Sequence, residues 1–129
     1  MRLIFGLLSL FFSLQCCWGD NKRHADVCIE TNNLDGNEIF KIHNGDNFPT
    51  DNNQYLIFIE CYWKRIGYLT RNGELNFPTI WQTYFESYKK RYNFEDSKKK
   101  LEQLIAKCEH VSGNSPALKA INMNVCITS

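Results

Sequence analysis

The chain lacks an excess of either charge: 15 Lys+Arg stand against 14 Asp+Glu, and the formal net charge is +1. That balance excludes the strong basic surplus that marks most nucleic-acid binders. No CxxC pair, HxxxH spacing, G-x-S-x-G elbow, phosphate-binding loop or glycine-rich dinucleotide turn occurs, so no familiar metal, cofactor or nucleophile motif is present. No repeat, low-complexity tract or domain linker interrupts the 129 residues, and a chain of this length is expected to form one domain. A hydrophobic share of 43% with 22% charge excludes wholesale disorder.

What is present begins at the N-terminus. Met1-Arg2 gives a short positive start, and Leu3 to Leu14 is an apolar run broken only by Gly6, Ser9 and Ser13. Cys17 and Gly19 then place small residues three and one before a cut after Gly19. This is the three-part pattern of a secretory signal over residues 1–19. The run is too short for a spanning helix, which needs about 20 apolar residues. No second run of spanning length follows, so stable membrane insertion is not expected, and the protein should be secreted and extracellular.

Residues 20–129 read as all helix, in five or six stretches. Thr50-Asp51, after Pro49, can cap a helix that runs through Tyr55 to Trp63, takes Lys64-Arg65 at its end and stops at Gly67. The next opens near Asn76 with Pro78 in its first turn. Its residues Phe77, Ile80, Trp81, Tyr84, Phe85 and Tyr88 recur at helical spacing. Another starts at Asn93, with Asp96 three residues later where a capping box has Glu. It places Leu101, Leu104, Ile105, Cys108 and Val111 on one face. Ser115-Pro116 opens the last helix, which carries Leu118, Ile121, Val125 and Cys126. Ala25, Val27 and Cys28 suggest a first helix. Leu34, Ile39, Phe40 and Ile42 suggest a short second one, ended by Asn44-Gly45. Asn72-Gly73 marks a tight turn.

Removal of the leader takes Cys16 and Cys17 with it and leaves Cys28, Cys61, Cys108 and Cys126. An even number of cysteines in a secreted chain implies disulfides. Four cysteines allow three pairings, and spacing alone does not choose among them.

The order of these four cysteines, the helical pattern and the loop Ile66 to Leu75 (IGYLTRNGEL) together resemble the insect odorant-binding protein family, the carriers of pheromones and general odorants. Where the six-cysteine form of that family has its second and fifth cysteines, this chain has Ile57 and Ala117. It therefore resembles the four-cysteine, or minus-C, branch. The resemblance implies pairing of Cys28 with Cys61 and of Cys108 with Cys126. It further implies a compact all-α bundle of about six helices enclosing an apolar cavity. Without a crosslink between positions 57 and 117, the third and sixth helices would not be bolted together, and the pocket should be more adaptable.

No catalytic residue is expected, and no cofactor or metal. His43-Asn44-Gly45-Asp46 superficially suggests a phospholipase His-Asp site, but the cysteines that should flank it are missing. His110, near a helix C-terminus, is read as a solvated surface histidine. The groups Lys89-Lys90-Arg91 and Lys98-Lys99-Lys100 flank one turn and are read as a solvated corner, with Glu95, Asp96 and Glu102 nearby to offset them.

Fourteen aromatic residues follow the leader, six Phe, two Trp and six Tyr. Tyr and Trp join an apolar body to a polar tip, which suits a cavity for an apolar chain bearing one oxygen. The resemblance implies a small hydrophobic ligand, an odorant or pheromone, delivered to a membrane odorant receptor. The residues expected to line the pocket are Ile57, Phe58, Trp81, Tyr84, Phe85, Leu104, Leu118, Ile121 and Val125. The rival function on this scaffold is a salivary protein that scavenges biogenic amines or blocks anionic clotting surfaces. An amine site needs pocket carboxylates, and Glu60 and Glu86 are expected to face solvent.

Overall fold

The computed structural model describes residues 21–129, so the leader read at 1–19 lies outside the described residues. Helix α1 is helical through residues 21–31, α2 spans Gly36–His43 and α3 spans Asn53–Ile66. Helices α4, α5 and α6 span Phe77–Lys89, Phe94–Cys108 and Pro116–Thr128. Extended pairing among the described residues amounts to one isolated antiparallel bridge, Leu69 to Leu75. The all-α class read from the sequence is the class observed.

The helix ends follow local side-chain chemistry. Each N-cap supplies an oxygen to an otherwise unpaired backbone N–H. Thr79 N–H donates to Asn76 Oδ1 at α4, Asp96 N–H to Asn93 Oδ1 at α5, and Leu118 N–H to Ser115 Oγ at α6. These three caps sit where the sequence places them. Helix α3 begins slightly later than expected: Asn52, not Thr50 or Asp51, accepts from Tyr55 N–H at 3.1 Å. All three residues have a suitable oxygen, and Asn52 is the one that accepts. Helix α1 ends on Asn33 at φ 53°. Leu34 N–H reaches back to Ile29 O and Asn33 N–H to Glu30 O, the two bonds of a Schellman closure. Helix α3 stops at Gly67, φ 90°.

Helix α4 packs along α5, α3 lies against α6, α5 meets α6, and α2 rests on α3. Cys28 and Cys61 tie α1 to α3, with Cα atoms 5.8 Å apart. Cys108 and Cys126 tie the end of α5 to α6 across 5.9 Å. This is the pairing the family resemblance implies. By the chain-entropy account, each bridge contributes about 3–4 kcal/mol.

The core is centred on α3 and α6. Tyr55, Phe58, Ile59 and Trp63 of α3 are buried, as are Ala117, Ala120, Ile121 and Met123 of α6. Fully burying one large apolar side chain stabilises by about 1.5–3 kcal/mol. The alanines of α6 carry little hydrophobic weight in a sequence, yet their small size lets α3 approach closely. Ile39, Leu69, Ile80 and Leu104 complete the core from the surrounding elements.

Candidate ligand-binding site

Aromatic rings form a continuous column up the inner face of α3. Phe48, in the turn before it, stacks on Tyr55 at 6.2 Å, Tyr55 on Phe58 at 6.1 Å, and Phe58 on Tyr62 at 5.4 Å. The spacing 55, 58, 62 places them on one side of a 3.6-residue helix. His43, the last residue of α2, stands edge-on to both Phe58 and Tyr62, each 5.6 Å away. Two polar atoms in this column are buried without a hydrogen-bond partner, His43 Nδ1 and the Tyr55 hydroxyl. Burial holds the His43 imidazole below its ordinary pKa and pushes the Tyr55 phenol far up, because a charge there would be stripped of water.

A second aromatic row runs along α4. Phe77 stacks on Trp81 at 5.5 Å, and Tyr84 approaches Tyr88 at 6.5 Å. All four pack on the core without being sealed in it, whereas Ile80, on the same face, is wholly buried. Tyr68, in the loop after α3, stands edge-on to Trp63 at 5.2 Å. Burial raises the Tyr62 phenol, and the neighbouring Tyr68 phenol adds to the shift. Burial lifts Tyr84 to about 12, with Tyr68 and Tyr88 reinforcing it. Burial also raises Tyr68, partly offset by the Thr83 side chain. Tyr62, Tyr68, Tyr84 and Tyr88 thus form a cluster of neutral phenols, able to donate hydrogen bonds from an apolar wall.

The expected pocket residues fall into three groups. Phe58, Ile121 and Leu104 are buried in the core. Trp81, Tyr84, Phe85 and Leu118 are half-buried. Ile57 and Val125 remain exposed, at 47% and 46%. Tyr84 and Leu104 meet in one groove between α4 and α5. Phe85 instead turns toward the α4–α5 corner, edge-on to Phe94 at 5.9 Å, with Lys89 Nζ 5.0 Å from its ring centre. Ile57 borders a surface depression with Glu60 and Lys64. The aromatic contacts also take in Tyr55, Tyr62, Tyr68, Tyr88 and His43, which the sequence reading does not single out for the pocket. The 55–62 spacing on α3 was the available signal.

The charged candidates lie outside this aromatic region. Glu60 pairs with Lys64 at 2.8 Å and Glu86 with Lys89 at 2.9 Å, each on its own helix. The His110 side chain is 91% exposed. Among the described residues, no group of three or more His, Cys, Asp and Glu could hold a metal ion. Nor is any described helix long and apolar enough to cross a membrane.

Residues 19–129 match the family model described as PBP/GOBP family. A search of curated proteins and a search of solved structures each returned no match.

Proposed function

The chain belongs to the PBP/GOBP family, and on that premise we propose that it is a secreted carrier of small hydrophobic molecules, odorants or pheromones. The family is one of binding carriers rather than enzymes. The observation that carries the finer reading is the state of the α4 aromatic face. Phe77, Trp81, Tyr84 and Tyr88 rest on the core but keep part of their surface accessible. A face that served only as core would be closed like Ile80.

A ligand entering against this wall leaves water and gains about 25 cal/mol per Å² of apolar surface buried. One of the neutral phenols of Tyr62, Tyr68, Tyr84 or Tyr88 then donates a hydrogen bond to its oxygen. The pairing of Glu60 and Glu86 with lysines on their own helices leaves both carboxylates at the surface, and so favours a hydrophobic ligand over a biogenic amine.

Secretion rests on the leader pattern at 1–19, and the family match begins at residue 19. The four-cysteine form rests on the resemblance, which puts Ile57 and Ala117 where six-cysteine members have their second and fifth cysteines. Without a crosslink between α3 and α6, a ligand cavity opening beside them would be able to widen around different ligands.

Displacement of a fluorescent apolar probe from the disulfide-bonded protein tests the proposal. Fatty alcohols, aldehydes and terpenoids should compete, and serotonin and histamine should not. Competition by the amines alone would replace the carrier reading with amine scavenging. A folded, helical protein that never binds the probe would remove the cavity.

A further inference from the structure

The groove between α4 and α5 has a chemical polarity that the aromatic wall alone does not. Helix α4 contributes Tyr84 and Tyr88 to it, and the turn beyond α4 contributes Arg91. Helix α5 contributes Lys100, Leu104 and Lys107. Each set recurs at three-, four- or seven-residue steps, so each presents one stripe, and the stripes face one another across about 550 Å³. No Asp or Glu is among the described residues that line it.

Leu104 and Ile127 give the groove an apolar lining, and Arg91, Lys100 and Lys107 give it cations. Leu104 is buried at 6% exposure, and burial raises the Tyr84 phenol in the same groove to about 12. Toward the rim, Lys100 Nζ lies 4.6 Å from the centre of the Tyr92 ring, a contact that leaves its N–H donors free for an anion. No carboxylate pairs with Lys100 or Arg91 among the described residues. Lys107 already donates to Ser129 O at 2.8 Å, so Arg91 and Lys100 are the two available cations.

We propose that this groove binds a single-chain amphiphile with a carboxylate head, seated between Arg91 and Lys100 with its apolar chain directed past Tyr88 and Leu104 toward Tyr84. The guanidinium of Arg91 offers a planar pair of donors that matches a carboxylate, and Lys100 adds a mobile point charge. An ammonium head in the same place would face two unneutralised cations. The inference rests on the carrier reading and narrows it to one ligand class.

Probe displacement by dodecanoate, dodecanol and dodecylamine, matched in chain and different in head, separates the two. Dodecanoate should bind about tenfold more tightly than dodecanol, and dodecylamine more weakly than either. The double variant Arg91→Gln/Lys100→Gln should erase the dodecanoate advantage and leave dodecanol unchanged. Far-UV circular dichroism checks that the variant keeps its helices, as expected for two side chains that take no part in the core. Added salt should lower the advantage in the wild type alone. If dodecanol binds but dodecanoate has no advantage, or if the advantage survives in the double variant, the anion groove is overturned and the carrier stands. If none of the three displaces the probe, both are overturned.

Discussion

Gly73 lies against the ring of Pro116 so closely that a side chain on the glycine would overlap Pro116 Cγ. The contact seats the loop after α3 on the first turn of α6. Glu74 strengthens the same junction through Lys119, 2.9 Å away. Gly73 also has φ 82°, a conformation that favours glycine. Gly73→Ala therefore meets strain and overlap together and should lower stability by about 2–3 kcal/mol. Gly67→Ala is the control. It shares a left-handed φ of 90°, but its nearest neighbour, Thr79 Cγ2, is an ordinary 3.8 Å away. Backbone strain alone should cost it about 1–2 kcal/mol. Equal losses for the two variants in chemical denaturation would show that the Pro116 contact yields without cost.

Acid should weaken the fold through His43. Burial holds its pKa below the ordinary imidazole value of about 6.5, so the unfolded chain takes up the proton first as pH falls. Above about 6.5 both states are neutral there and His43 adds no pH dependence. Below it the unfolded state binds more protons, and stability declines until the folded imidazole is also protonated, after which the loss levels off. The thermal midpoint of the wild type should therefore drop as pH is lowered below this point. His43→Phe, which keeps a ring beside Phe58 and Tyr62, should flatten that part of the profile. An unaltered profile would assign the acid sensitivity to other groups.

Tyr55 presents the opposite case, a buried group whose polar atom contributes nothing visible to the fold. Its hydroxyl has no hydrogen-bond partner while its ring is stacked between Phe48 and Phe58. Tyr55→Phe keeps the stacking and removes only the desolvated hydroxyl. It should leave stability unchanged or raise it by about 1 kcal/mol. A loss of more than about 1 kcal/mol in urea denaturation would mean that the hydroxyl is satisfied in solution.

Much of this architecture is legible in the sequence because helix ends are local. Asn76, Asn93 and Ser115 each cap the helix that follows, and Gly67 ends one, through chemistry confined to a few neighbouring residues. Faces that depend on the partner element are less legible. The last helix reads as Leu118, Ile121 and Val125, but Ala117, Ala120 and Met123 are buried while Val125 is exposed. Helical spacing marks an apolar side without saying how wide the neighbour is. The lysine clusters show the same limit. Lys98 and Lys99 are exposed, whereas Lys100 turns over Tyr92 and enters the groove with Arg91. A run of like charges contains no signal for which member turns inward.

Substitutions at Trp81 and Phe85 should separate pocket from scaffold, although the two belong to one amphipathic face. Trp81 stacks on Phe77 and packs on the core with part of its surface still accessible. Phe85 is held at the helix corner by Phe94 and Lys89. Trp81→Ala should weaken probe binding by about tenfold or more, the effect of losing a large aromatic contact of roughly 1.5 kcal/mol or more. Phe85→Ala should destabilise the α4–α5 corner by about 1–2 kcal/mol and change affinity much less. Both variants should keep the helical signal, since neither residue is a cap or lies in the fully buried core. Equal loss of affinity in the two would extend the ligand wall to the corner. Unchanged affinity in Trp81→Ala would remove the α4 aromatic row from the site and leave the column of Tyr55, Phe58 and Tyr62 on α3 to line it.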